Sequence, residues 1–116
     1  MGRFEIFIDN MNLFRFILKV ENGEIIFSNG AYPSKSSCEG GIQSVRMTSG
    51  IDARYERLVS KERHPYFKLK SFSGQIIGTS KMYNAVSAME RGILAVKNNA
   101  FDAKLLDLTL KVDSAR

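Results

Sequence analysis

The sequence predicts an α+β fold of two β-β-β-α repeats and a final strand, with one antiparallel sheet and both helices on one of its faces. When the chain is shifted by 51 residues against itself without a gap, 14 of the 51 aligned pairs are identical. In each copy the apolar spacing then changes from the alternation of a strand to the 3.6-residue period of a helix. We expect a single domain, 1–116, because each half of the chain would be marginal alone.

The repeats are predicted to span residues 2–52 and 53–103, followed by a completing strand over residues 104–112. The identical pairs are formed by Arg3, Glu5, Phe16, Leu18, Lys19, Gly23, Ile25, Ile26, Tyr32, Ser36, Glu39, Gly41, Ile42 and Val45, each with the residue 51 positions later. Most of these residues build structure, so the repeat predicts architecture more strongly than chemistry.

Three alternating segments open each copy and predict a three-stranded antiparallel meander. In the first copy they are RFEIFI, FRFILKV and EIIFS; in the second they are RYERLV, YFKLK and QIIGTS. Asn22-Gly23 separates two of the strand-like segments, and both residue types tolerate a positive φ. We therefore expect a hairpin there, and another at Ser73-Gly74.

A helix follows the third strand of each copy. The residues on its apolar face are Cys38, Ile42 and Val45 in the first copy and Met89, Ile93 and Val96 in the second. Ser36 with Glu39, and Ser87 with Glu90, have the spacing of a capping box. Ser34 and Asn84 are competing N-caps about one turn earlier, so these two alternatives stay open.

A glycine lies inside each predicted helix, at positions 41 and 92. Glycine costs about 1 kcal/mol relative to alanine in a helix, so its presence at both positions predicts a close approach of helix to sheet. Tyr32 and Tyr83, just before the helices, are expected to pack over the sheet edge with their hydroxyls in water.

The segment LLDLTLK from Leu105 continues the same offset and begins a third copy. Its alternation places Leu106, Leu108 and Leu110 on one face, so a strand is available after each helix. We expect the strand after one helix to pair with the meander of the other repeat, since an unpaired edge would invite aggregation.

The amino-acid composition limits the cellular location and the disulfide chemistry that we expect. The apolar fraction of 44% is that of a globular protein, no apolar run is long enough for a bilayer, and no signal-peptide pattern is present. The single cysteine, Cys38, cannot form an internal disulfide and is expected in the core; together these observations predict a cytoplasmic protein. The net charge of +5 arises wholly in residues 52–116.

No catalytic, metal or cofactor site is predicted. One histidine and one cysteine cannot supply a metal-ligand set or a catalytic triad, and there is no phosphate-binding glycine loop. Glu5 and Glu56 recur together with lysines and arginines, which indicates cross-strand charge pairing rather than an acid–base pair.

The sheet face away from the helices is the candidate interaction surface. Alternation directs toward it the basic and aromatic residues Arg15, Lys19, Tyr66, Lys68 and Lys70, a combination used to bind single-stranded nucleic acid. Phe7, Ile17 and Leu58 on the same face could instead form an apolar patch for a protein partner or a second copy of the chain.

Two stretches resemble a known family. SKSSCEGGIQSV, preceded by FRFILKVENGEIIFSNGAY, and the second copy, YFKLKSFSGQIIGTSKMYNAVSAMERGILAVKNNA, closely resemble the YegP-like family of small bacterial and archaeal proteins of unknown function. The resemblance covers nearly the whole chain. It implies a tandem, pseudo-two-fold α+β unit with swapped terminal strands, and it implies no activity or catalytic residues.

Two hypotheses for the function remain. The first is a non-enzymatic structural or protein-interaction module, a monomer or homodimer without a membrane or cofactor. The alternative is weak, sequence-tolerant binding of RNA or single-stranded DNA on the basic sheet face.

Overall fold

The computed structural model describes residues 2–110, which form one seven-stranded sheet with two α-helices packed on one face. The elements are β1 (Arg3–Ile8), β2 (Phe14–Lys19), β3 (Ile25–Tyr32), α1 (Lys35–Thr48), a 3-10 turn (Asp52–Arg54), β4 (Tyr55–Val59), β5 (Pro65–Lys70), β6 (Ile76–Ser80), α2 (Val86–Asn99) and β7 (Lys104–Asp107). The predicted α+β class and its two β-β-β-α units are confirmed.

The strand order is β4-β5-β6-β3-β2-β1-β7. Each predicted meander is antiparallel, and the two meanders join through the antiparallel pair β3 and β6. β7, which follows α2, pairs with β1 of the first repeat, so the expected exchange of a terminal strand is confirmed. The prediction of a wholly antiparallel sheet is wrong, because β7 runs parallel to β1.

The parallel pairing follows from occupancy of the sheet edge. The strand that follows α1, β4, pairs antiparallel with β5, so by the same symmetry the strand that follows α2 would pair antiparallel with β2. β1 already fills that place, and β7 therefore adds outside β1 in the same direction as β1. β7 is also shorter than predicted, because the Asp107 carboxylate accepts hydrogen bonds from the backbone and hydroxyl of Thr109 and closes a turn. Residues 111 and 112 of the predicted strand lie outside the described residues.

An aromatic core runs symmetrically through both repeats. Its rings, in spatial order, are Tyr32, Phe16, Phe27, Phe67 and Tyr83, with neighbouring centroids 6.2–6.5 Å apart. Phe27 occupies the centre of this row and has no aromatic counterpart, because the position 51 residues later is Gly78. A Cβ at Gly78 would lie 1.8 Å from the Phe27 ring, so one repeat supplies the ring and the other the space.

The helix starts differ from the predicted capping boxes. α1 is capped by Ser34, whose Oγ accepts from the backbone N–H of Ser37 at 3.1 Å, so the Ser34 alternative is confirmed. α2 begins after Ala85 with no side-chain cap, and neither Asn84 nor the Ser87 pair caps it. The carboxylate of Glu90 binds Arg57 of β4 instead, at 2.6 Å.

The helix glycines mark the expected close approach, but the contact is made by the two tyrosine hydroxyls. A Cβ at Gly41 would lie 2.2 Å from the Tyr32 hydroxyl oxygen, and one at Gly92 would lie 2.1 Å from that of Tyr83. The expectation that both hydroxyls reach water is wrong for Tyr83, whose hydroxyl is buried. The Tyr32 hydroxyl also lies against the backbone of a helix.

The two tyrosines differ in hydrogen bonding. The Tyr32 hydroxyl accepts from the side-chain amide of Asn29 at 2.8 Å. The Tyr83 hydroxyl is buried and has no partner within residues 2–110. The counterpart of Asn29 is Ser80, whose hydroxyl donates to the backbone carbonyl of Lys81 and accepts from a backbone N–H of β5. Burial raises the pKa of both tyrosines, so both hydroxyls stay protonated.

We predict that Gly92→Ala lowers the free energy of unfolding by about 1–3 kcal/mol, because the added methyl collides with a buried ring that has little room to move. Urea denaturation monitored by circular dichroism measures the effect. Gly40→Ala is the matched control, since a Cβ there meets nothing within 4 Å; it should stabilise the protein by about 1 kcal/mol. Equal effects of the two substitutions would contradict the contact.

We predict opposite effects for the two Tyr→Phe substitutions. Tyr83→Phe removes an unpaired buried hydroxyl and keeps the ring, and should raise the free energy of unfolding by about 1 kcal/mol. Tyr32→Phe leaves the amide of Asn29 without its acceptor and should lower it by about 1 kcal/mol. Equilibrium unfolding in urea compares them directly, and a shift of the same sign in both variants would refute the asymmetry.

Candidate functional site

The sheet face away from the helices, here called the open face, carries all five predicted nucleic-acid-binding residues. Strand alternation directs Phe16, Leu18 and their counterparts into the core and the intervening residues outward. The registers place one row across the whole open face, in the order Glu56, Lys68, Thr79, Ser28, Ile17, Glu5 and Leu106. Small and hydroxylic side chains therefore separate the two halves of this face.

Three of the five candidates are already paired with carboxylates. Arg15 Nε lies 2.6 Å from Asp9 Oδ2, Lys19 Nζ lies 3.3 Å from Glu5 Oε1, and Lys70 Nζ lies 3.5 Å from Glu56 Oε1. The predicted cross-strand pairing of the repeated glutamates is confirmed by the last two. A polyanion would have to displace these carboxylates before it could use the cations.

Glu5 is the most constrained of these acids. Its side chain lies between Ile17 and Leu106 of the neighbouring strands and is only 5% exposed. Burial alone would raise its pKa, but hydrogen bonds from Arg3 at 2.6 Å and from Lys19 outweigh burial and lower the pKa. A buried ionised carboxylate with two cations is a structural arrangement that holds β1 and β2 in register.

Tyr66 and Lys68 complete the predicted set on β5. Lys68 makes no ion pair within residues 2–110. β3 and β6 lie between β2 and β5, so the two predicted groups are separated by three strand spacings, roughly 14 Å. The five residues thus share a face but form two groups rather than one continuous basic patch.

The three predicted apolar residues of the open face do not form one patch. Phe7 lies on β1 opposite Arg15, and Leu58 lies on β4 opposite Tyr66, near the two ends of the sheet. Ile17 occupies β2, and all three side chains are half-buried. The structure therefore places Phe7 and Ile17 as diagonal neighbours on adjacent strands of the predicted face and separates Leu58 from both.

An apolar groove of about 450 Å³, not predicted from the sequence, lies where the C-terminal ends of the helices meet. Four exposed apolar side chains line it, together with Arg46 and Lys97: Met47, Ile51, Phe72 and Phe101, which are 60%, 40%, 64% and 74% exposed. They come from a helix end, a loop, a hairpin and a second loop, which is why no local pattern revealed them.

The repeat itself contains the signal for this groove. The counterparts of Met47, Ile51 and Phe72 in the other repeat are Asn98, Asp102 and Glu21, and that of Phe101 is a glycine. An exposed apolar residue aligned with a polar counterpart marks a surface position where apolarity is not required by the fold. Comparing the repeats for differences marks these residues as candidates, together with residues outside the groove such as Leu94, whose counterpart is Gln43.

The cysteine and the metal-ligating side chains do not form a further site. Cys38 is buried, and burial raises the pKa of its thiol to about 11, so it is a core residue as expected. Within residues 2–110 no three histidine, cysteine, aspartate or glutamate side chains come close enough to hold a metal ion. Neither α1 nor α2 is long and apolar enough to cross a membrane.

Comparison with known proteins identifies the architecture. A domain of unknown function, DUF1508, matches residues 9–56 and 60–107, two segments that begin 51 residues apart. A UPF0339 protein of Acinetobacter baylyi is 47% identical over 108 residues, covering 93% of this chain and 97% of that protein. UPF0339 protein YegP of Escherichia coli K12 is 43% identical over 108 residues, with 93% and 98% covered.

The solved structures agree with the fold. The solution NMR structure of a UPF0339 protein from Shewanella oneidensis has a TM-score of 0.90 with this chain, at 40% identity, and covers 99% of this chain and 98% of that one. The expected YegP-like resemblance and the tandem form are both confirmed. The chain belongs to the DUF1508 family of UPF0339, YegP-like proteins.

Proposed function

We propose that this protein is a cytoplasmic, non-enzymatic interaction module that docks a partner polypeptide in the apolar groove. The observation that carries the proposal is the clustering of Met47, Ile51, Phe72 and Phe101 in one concave surface. Single exposed apolar residues are ordinary on a protein surface. A contiguous apolar cluster in a groove is typical of a site that buries part of another molecule.

Divergence between the repeats supports a role for this cluster beyond folding. Asn98, at the same position of α2 as Met47 of α1, completes an equivalent helix with a polar side chain. Glu21 likewise occupies, in the β2–β3 hairpin, the position that Phe72 occupies in the β5–β6 hairpin. Since both repeats form the same elements, the apolar residues are not needed to form them.

Charge favours an acidic partner over a second copy of the chain. Arg46 donates to the backbone carbonyls of Ala100 and Phe101 at 3.2 and 3.0 Å, and has no carboxylate partner within residues 2–110. A partner segment with a bulky apolar anchor next to an aspartate or glutamate would complement both features. Two copies, each with a formal net charge of +5, would repel each other.

The nucleic-acid alternative has weaker support from the geometry. Arg15, Lys19 and Lys70 are each held by a carboxylate, and such pairs oppose the approach of phosphates. Counterion release depends on cations that are free to neutralise the polyanion. We therefore propose protein interaction through the groove, rather than nucleic-acid binding, as the function.

We predict that peptides selected from a phage-displayed library on the wild-type protein contain a bulky apolar residue beside Asp or Glu. The double variant Met47→Asn, Phe72→Glu gives the groove the side chains of the other repeat and should weaken peptide binding at least tenfold. This loss corresponds to removal of one to two buried apolar side chains. Fluorescence anisotropy with labelled peptides measures the affinities.

Leu94→Gln is the matched control, because Leu94 is exposed on α2 outside the groove and its counterpart is Gln43. It should leave peptide affinity unchanged. The proposal is wrong if no peptide is enriched over an unrelated basic protein, or if the double variant binds the selected peptides as tightly as the wild type does.

A further inference from the structure

The fold contains two related clefts, each between a helix and the hairpin of the other repeat. The first cleft lies between α1 and the β5–β6 hairpin and has a volume of about 730 Å³; the second lies between α2 and the β2–β3 hairpin and has about 310 Å³. Every residue that lines the second cleft has its counterpart, 51 positions away, in the lining of the first. The two clefts are therefore duplicates that have diverged.

Charged side chains occupy the second cleft. The ammonium of Lys81 forms an ion pair with Glu24 across it, and Arg91 of α2 also lines it. The counterparts in the first cleft are Gly30, Gln75 and Gly40, so the ion pair and the long basic side chain are both missing there. The first cleft, which has glycines in place of Lys81 and Arg91 and a neutral amide in place of the Glu24 carboxylate, is more than twice as large.

The first cleft has also gained hydroxyl groups. Val20, Ala88 and Ala95 of the second cleft are replaced by Ser71, Ser37 and Ser44 in the first. The Ser37 hydroxyl donates to the Ser34 backbone carbonyl at the start of α1, and the Ser71 hydroxyl accepts from the backbone N–H of Gln75 in the hairpin, so both serve the fold. The Ser44 hydroxyl has no such partner within residues 2–110 and is left for a ligand. The change from a filled, apolar and charged cleft to an open, hydroxyl-lined one has the character of a binding site.

The first cleft bears no charged side chain among its lining residues. A charged ligand would be desolvated there without a counter-charge, which is costly. The Ser44 hydroxyl and the Gln75 side-chain amide have no partner within residues 2–110, so both are available to a ligand. Phe72, at the hairpin, adds an exposed aromatic surface next to these polar groups.

We propose that the first cleft binds a neutral, polyhydroxylated ligand of the saccharide class. Such a ligand combines hydroxyls for Ser44 and Gln75 with an apolar C–H face for the Phe72 ring. The volume lies within the range of 300–1,000 Å³ usual for small-molecule sites. This proposal is independent of the apolar groove, which shares only Phe72 with the cleft.

A titration followed by ¹⁵N–¹H NMR with glucose, N-acetylglucosamine and maltose tests the proposal. We expect saturable shift changes in the amides of residues 37–44 and 71–77 for at least one sugar. Gly40→Arg gives the first cleft the side chain that Arg91 supplies to the second, and should weaken this binding at least tenfold. A Cβ at Gly40 meets nothing within 4 Å, so the variant should fold.

Gly40→Ala is the control, because it changes the same helix position and leaves the cleft open; it should bind the sugar as the wild type does. Glucose 6-phosphate provides a charged probe and should bind more weakly than glucose. The proposal is overturned if none of the three sugars shifts these amides, if Gly40→Arg leaves binding unchanged, or if the phosphorylated sugar binds as well as the neutral one. Gly40 does not line the groove, so the peptide experiment is unaffected by these variants.

Discussion

The packing of Phe27 against Gly78 is the constraint on which the joined sheet depends. β3 and β6 pair at the centre, and two phenylalanines at these equivalent positions would need the same space. With one ring and one glycine, Phe27 contacts Phe16 of its own repeat and Phe67 of the other, at 6.3 and 6.4 Å between centroids. The duplicated halves thus share a single core, and the pairing of one ring with one glycine breaks their symmetry at its centre.

Away from that centre, burial determines which positions stay alike. The helix residues that contact the aromatic row are repeated, as Ile42 and Ile93 or Val45 and Val96 illustrate, because each must fill an equivalent space. Gly41 and Gly92 repeat for the same reason, since a tyrosine hydroxyl occupies the space of a side chain. Surface positions carry no such requirement, and it is there that the clefts and the groove differ between repeats.

The sequence could predict what local pattern and period determine: the strands, the hairpin glycines, both helices and their approach to the sheet. It could not predict partners that depend on competition between elements. β7 pairs parallel with β1 because β1 already occupies the position next to β2. The start of α2 after Ala85 has no side-chain cap, and Glu90, which the sequence predicts to help form one, binds Arg57 instead. The candidate site was harder still: cross-strand pairing of Glu5 and Glu56 with the repeated cations could be predicted, but the pairing of Arg15 with Asp9 and the separation of the cations into two groups could not.

The competition between β1 and β7 has an energetic explanation. Both are copies of one strand, yet β1 buries Phe4 and Ile6 completely, while Leu105 and Leu106 of β7 stay more than 40% exposed. The residues of β7 that are paired with Phe4 and Ile6 are Leu105 and Asp107, so β7 in the inner position would place the Asp107 carboxylate toward the core, which is costly. β7 still has a structural role: Leu106 lies opposite Glu5, and Asp107 binds Lys35 of α1 at 2.8 Å. The partial third copy therefore covers the edge of β1 and excludes water from the carboxylate that holds β1 and β2 in register.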